Sequence, residues 1–109
     1  MQDRLSPTFA ALADPTRRAI LARLAQGETN VSELARPFLK DMSLPAITKH
    51  LKVLEETGVV TRVVEGRTHR LSLEPDVLSE AADWMDRQRA LWGRLFDVVD
   101  EYLREDRPQ

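Results

Sequence analysis

Lys49 and Lys52 stand three residues apart in "SLPAITKHLKVLEETG", Ser43 to Gly58, a stretch with the apolar spacing of an amphipathic helix. With Leu51 at the centre of the buried side and 100° per residue, Leu44, Ile47 and Leu54 fall within about 60° of it. Pro45, Lys49, Lys52 and Glu56 gather opposite, with Ala46 and Thr48 at the borders. Ammonium groups in that position can neutralise phosphates or donate to guanine O6 and N7. Pro45, Ala46 and the Thr48 methyl can pack on thymine methyls. Taken alone, the same residues also describe an ordinary solvated helix face.

Other chemistries find little support. The chain has no cysteine, which excludes disulfides, thiolate metal sites and thiol redox sensing. His50 and His69 lie in separate segments and are too few for a metal site. His50 borders the buried side of its helix, where a packed or hydrogen-bonded histidine is the simpler reading, and His69, on the hairpin's return strand, has a structural or wing-surface role by default. There is no Gly-rich phosphate loop and no nucleophile–base pair, and Glu55, Glu56 and Asp41 read as helix-face and turn charges. No enzyme, metal or cofactor is implied.

The net charge of −2 argues weakly against a nucleic-acid partner, but it hides an asymmetry. Residues 1–73 carry 11 Lys/Arg against 8 Asp/Glu, a net of +3, whereas residues 74–109 carry 5 against 10, a net of −5. A basic front and an acidic tail suit two different jobs. At 109 residues, with 42% apolar and 31% charged residues, the chain reads as a single globular domain, 1–109. "MQDRLSPTF" lacks the apolar core of a signal peptide, and no run approaches the ~18 residues of a membrane span. The expected compartment is the cytoplasm, with no membrane partner.

The elements that must position the two lysines follow from caps and breakers. Ser6-Pro7 is the expected cap of a first helix, and Asp14-Pro15 opens a second whose buried stripe is Ala19, Ile20, Leu21 and Leu24, stopped by Gly27. Asn30 with Glu33 fits a capping box for a third, which Pro37 kinks or ends before Phe38 turns into the core. Ser43 caps the fourth, with Pro45 in its first turn and Gly58 after its end. Residues 59–65 and 68–73 read as hairpin arms around Gly66-Arg67, flanked by Arg62 and Arg70. From Pro75 to about Arg104 a long helix carries Leu78, Ala81, Met85, Gln88, Trp92, Leu95, Val99 and Tyr102 at alternating steps of three and four. Val77, Trp84, Leu91 and Val98 make a second apolar line. Two apolar lines need two covering surfaces, one from the chain's own domain and one from a second copy. The set Trp84, Trp92, Phe96 and Tyr102 suits an interface core better than a ligand pocket.

A helix pair followed at once by a hairpin predicts a winged helix-turn-helix: a mainly α fold with a small β-hairpin. "DPTRRAILARLAQGE", "VSELARPF", "MSLPAITKHLKVLEETGVV" and "EGRTHRLSL" resemble, in order, the signature segments of ArsR-type winged-helix repressors over about residues 5–73. "RPFLKDMSLP" is slightly longer ahead of Ser43 than the family pattern. The resemblance implies a homodimeric bacterial transcriptional repressor with a helix-turn-helix at about 31–57, a wing at about 59–73 and a C-terminal dimerisation helix at about 75–104. It implies DNA contacts from Ser43, Pro45, Ala46, Thr48, Lys49, Lys52 and the wing-tip Arg67. The first and last helices would form the dimer interface, with Phe9 joining Leu78, Met85, Trp92, Leu95, Val99 and Tyr102. Founding members sense metals through cysteines on the third helix, or through His and Asp/Glu on the last. This chain has neither the cysteines nor a last-helix histidine and resembles a metal-independent branch. The implied partners are double-stranded DNA with an imperfectly palindromic operator and a second copy of the chain; whether a small-molecule effector exists is left open by the sequence. The competing expectation is a winged-helix dimerisation and protein-interaction module that binds no DNA. Arg17 and Arg18, in the first turn of the second helix, are expected to serve chiefly in surface salt bridges.

Overall fold

Single side chains decide where the helices of this chain start. The computed structural model describes residues 3–105. There α1 (Leu5–Leu12) begins under Asp3, whose carboxylate accepts from the N–H groups of Leu5 and Ser6 and from the Ser6 hydroxyl. Asp3, not Ser6, therefore satisfies the orphan donors, and Ser6-Pro7 lies inside the first turn, where a missing N–H costs nothing. Asp14 caps α2 (Pro15–Leu24) by accepting from Arg17 N–H at 3.0 Å. Asn30 caps α3 (Val31–Ala35) by accepting from Glu33 N–H at 2.8 Å. The return half of the expected capping box is absent: Glu33 turns outward and accepts from Arg36 at 2.8 Å. Pro37 ends the regular α-helix, and the chain tightens into a 3-10 turn over Arg36–Phe38. Ser43 caps α4 (Leu44–Glu56), accepting from Ala46 N–H at 3.3 Å.

The strands are β1 (Thr29–Asn30), β2 (Val60–Glu65) and β3 (Thr68–Leu73), in the antiparallel order β1-β3-β2. β2 and β3 form the expected hairpin, Glu65 facing Thr68 across Gly66-Arg67. Gly66 takes φ of 62° and Arg67 does not, as in the two-residue turns that put glycine first. β1 was not anticipated: Thr29 pairs with Leu71 and Asn30 with Arg70, closing the sheet over the start of α3. α5 (Pro75–Glu105) runs 31 residues, about 46 Å at 1.5 Å per residue. It carries Asp76 in its first turn and Arg104 in its last, charges that a helix dipole favours at those ends.

Ile20, Leu21, Leu24, Leu34, Ile47, Leu51, Leu54, Val59, Val60 and Leu71 make the core, with Phe38, Leu73, Val77 and Leu78 packed on it. Two expected core residues are not there. Ala19 is exposed, because at 100° per residue it sits about 140° from Leu24. Leu44 is 48% exposed, because it occupies the first position of α4, beyond the reach of the core that covers Ile47 and Leu51. Thr8 is buried instead, its hydroxyl donating to the Arg4 carbonyl at 3.2 Å. Phe9 meets Trp84 edge-on, ring centroids 5.6 Å apart, and this pair seats α5 on α1.

The rest of α5 has no cover from the described residues of the protomer. Leu91, Trp92, Leu95, Phe96, Val98, Val99, Tyr102 and Leu103 are all exposed, Phe96 by 66%. The molecule measures 71 × 36 × 24 Å with a radius of gyration of 19.5 Å, against about 13 Å for a compact chain of this length. No helix of the described residues is long and apolar enough to cross a membrane.

The Asp14 cap supplies a test of this local reading. Its carboxyl lies below the usual value of 3.8, chiefly because it accepts from Arg17 N–H, with His50 and the Arg17 charge adding to the effect. A carboxyl lowered by folding stabilises fully above its unfolded value, and that contribution is lost as pH falls through the folded one. Asp14→Asn keeps a good cap but removes the titration. Urea midpoints for wild type should therefore fall more steeply than those of Asp14→Asn below about pH 4. Parallel curves would contradict the account.

Candidate nucleic-acid interface

α3, the 3-10 turn and residues 39–43 bring the chain round so that α4 lies with one side on the core and the other in solvent. The buried side is Ile47, Leu51 and Leu54. Ser43, Pro45, Thr48, Lys49 and Lys52 are exposed, and Ala46 is half-buried at the border. Ser43 accepts through its oxygen as the cap, which leaves its own O–H free to donate to a phosphate. Leu44, assigned to the buried side by the wheel, joins the exposed set beside Ser43 and Pro45. A wheel gives direction around the axis but not depth along it, so only the end of the core could have shown this.

Arg67 stands exposed at the wing tip. With Thr68 it lines a cleft of about 360 Å³ between wing and α3, shared with Asn30, Ser32, Glu33, Arg62 and His69, so it faces the helix-turn-helix side. Gly66 permits this tight reversal; a Cβ there would meet no atom, but the positive φ disfavours any side chain.

The arginines nearest this surface, by contrast, are engaged with other parts of the fold. Arg17 donates from Nε to the Ala11 carbonyl at 2.8 Å and from Nη2 to Ala10 at 2.9 Å, and Arg18 donates to Leu12 at 2.7 Å. Both arginines therefore satisfy the last carbonyls of α1, not the surface carboxylates expected for them. Arg62 is bound to Glu55 and His69, and Arg70 to Glu28 at 3.2 Å and Glu65 at 3.7 Å. His50 is half-buried with Nδ1 3.8 Å from Asp14, turned to the start of α2 and away from the exposed face. Among the described residues, Lys49, Lys52 and Arg67 form no ion pair. Lys40 in the preceding turn is likewise exposed and unpaired among them. Sequence reasoning passed over it because nothing in the turn's composition placed it near α4.

An exposed apolar and cationic helix face beside a cationic hairpin tip can straddle a duplex, the helix in the major groove and the tip on the backbone. Comparison with known proteins places the chain among transcriptional regulators. A family model described as a helix-turn-helix domain matches residues 12–63. The chain is 44% identical over 87 residues to the HTH-type transcriptional regulator Rv2034 of Mycobacterium tuberculosis, covering 78% of this chain and 79% of that one. It is 33% identical over 81 residues to the transcriptional repressor SdpR of Bacillus subtilis, covering 74% and 88%. Among solved structures, it resembles an ArsR family transcriptional regulator with a TM-score of 0.73 at 42% identity, covering 83% of this chain and 91% of that one.

Proposed function

Because this chain belongs to the ArsR family of winged helix-turn-helix transcriptional regulators, which are DNA-binding proteins and not enzymes, we propose that it is a homodimeric, sequence-specific repressor. One observation carries the site assignment. The arginines around the helix-turn-helix are engaged within the fold, whereas Lys49 and Lys52 on α4 and Arg67 on the wing are exposed without ion-pair partners among the described residues.

In this reading α4 enters the major groove. Ser43 and the helix N-terminus hold a phosphate, Lys49 and Lys52 reach phosphates or guanines, and Pro45, Ala46 and the Thr48 methyl pack on thymine methyls. Leu44 adds an apolar contact that the wheel did not anticipate. Arg67 takes a phosphate or the minor groove edge. Residues 1–109 act as one domain. α5 joins two copies through Met85, Trp92, Leu95, Val99 and Tyr102, with Leu78 and Phe9 at the edge, where they already pack within the protomer. The acidic helix then lies away from the duplex, where its charge does not repel phosphate. Thiolate metal sensing is ruled out by the absence of cysteine.

Selection from a random-sequence duplex library followed by footprinting tests the reading. The expected site is an imperfect palindrome with half-sites about 34 Å apart, one helical turn. Recovery of no duplex, or of unrelated sequences with a uniform footprint, would leave the protein-interaction module as the better account.

A further inference from the structure

The proposed contacts lie on two elements, α4 and the wing, joined in sequence by Thr57, Gly58 and Val59 alone. Between them stands one guanidinium. Arg62 donates from Nε to Glu55 Oε1 at 2.7 Å and from Nη2 to Oε2 at 3.1 Å, a bidentate pair with the last turn of α4. Its Nη1 lies 3.0 Å from His69 Nδ1 on β3, so the ring nitrogen accepts. Both charged side chains are only about a quarter exposed. Along β2, Val60 is buried in the core, Arg62 is half-buried, and Val63, Val64 and Glu65 are exposed. Arg62 is thus the last residue of β2 tied to α4 before the tip. Gly66 lies four residues further, about 13 Å away at 3.3 Å per residue. A tilt of about 10° at Arg62 would carry the tip about 2 Å, enough to break a hydrogen bond to a phosphate.

We propose that Arg62 is a positioning residue for operator binding. Held by Glu55 and His69, it sets the angle between α4 and the wing so that the α4 face and Arg67 meet one duplex in register. The inference rests on the reading of α4 and wing as the DNA-contacting elements.

Glu55→Gln gives the sharpest test, because charge and geometry predict opposite signs. Removing a carboxylate near DNA should tighten binding if only net charge matters. Loss of the bidentate pair should weaken binding to a duplex selected by wild type by about five- to tenfold. Binding to poly(dI-dC) should hold or tighten. Arg62→Lys keeps the charge but not the fork, and should show the same selective loss. In an Arg67→Ala background the effect of Glu55→Gln should largely vanish, since the positioned contact is already gone. Exchanging the pair, Glu55→Arg with Arg62→Glu, should restore part of the affinity. Thermal melts of each variant identify losses due to unfolding, and a Glu55→Gln protein that melts early passes the decision to Arg62→Lys. Equal or tighter binding of the selected duplex by folded Glu55→Gln or Arg62→Lys overturns the proposal, as does full additivity with Arg67→Ala. Failure of wild type to select any duplex overturns the DNA reading beneath it, which separates the two.

Discussion

Alanine at both Lys49 and Lys52 is expected to lower affinity for the selected operator by about a thousandfold and to flatten its salt dependence. In a dimer the double substitution removes four cations. At the low end of about 1 kcal/mol for each charged contact, four contacts amount to about 4 kcal/mol, and each 1.4 kcal/mol is a factor of ten. If all four meet phosphates, the slope of log affinity against log salt should shrink by about 3.6, at about 0.9 for each. The fold should not suffer. Both side chains are exposed, neither has an ion-pair partner among the described residues, and alanine is at least as good a helix former. Titrations by fluorescence anisotropy at two salt concentrations, beside a thermal melt, measure all three quantities. A double variant with wild-type affinity and slope would remove this face of α4 from the interface. A loss of affinity with an unchanged slope would move the lysines from phosphates to bases.

What could be read from the sequence was local. Asp14, Asn30 and Ser43 are caps because an oxygen two or three bonds from the backbone sits just ahead of a helix, and neither requirement involves distant residues. Ile47, Leu51 and Leu54 were legible for the same reason, since helical period alone aligns them. The illegible parts depend on where separate elements meet. β1 is two residues long and exists only because Thr29 and Asn30 reach Leu71 and Arg70, some forty residues on. The use of Arg17 and Arg18 depends on the angle at which α2 leaves α1, which presents the carbonyls of Ala10, Ala11 and Leu12 to them. Leu44 fails as a core residue because the core stops one turn short of it.

The candidate site follows the same division. The cationic and apolar face of α4 was readable from the wheel, as was Arg67 from the turn. Arg62 was not separable from Arg70 by type or spacing. Only the fold shows that Arg62 is bound to Glu55 and Arg70 to Glu28, while Arg67 stays unpaired among the described residues. Charge patterning therefore located the interface, and tertiary pairing sorted which charges remain available to it.

A single carboxylate on the bare part of α5 should dissolve the dimer and, with it, operator binding. Leu95 is 58% exposed in the protomer and lies well beyond Ala81, the last residue of α5 that the protomer buries. Leu95→Asp should leave the melt of the protomer's own core nearly unchanged. In a twofold interface the same position faces the partner from both sides, so one substitution acts twice. Each copy loses about 1.5–3 kcal/mol of leucine burial, and each new carboxylate costs several more to desolvate unpaired. A penalty of that size is enough to bring a micromolar or nanomolar dimer to monomers at any workable concentration. Sedimentation equilibrium should show the wild type at twice the chain mass of 12.5 kDa and Leu95→Asp at that mass. Operator affinity should collapse with it, because two half-sites bound by one molecule gain an effective concentration that two free protomers lack. Arg94→Glu, on an exposed neighbouring position, controls for charge alone and should remain a dimer. A wild type that is monomeric at micromolar concentration, or a Leu95→Asp protein that stays dimeric, would mean that the uncovered apolar length of α5 meets something other than a second copy of this chain.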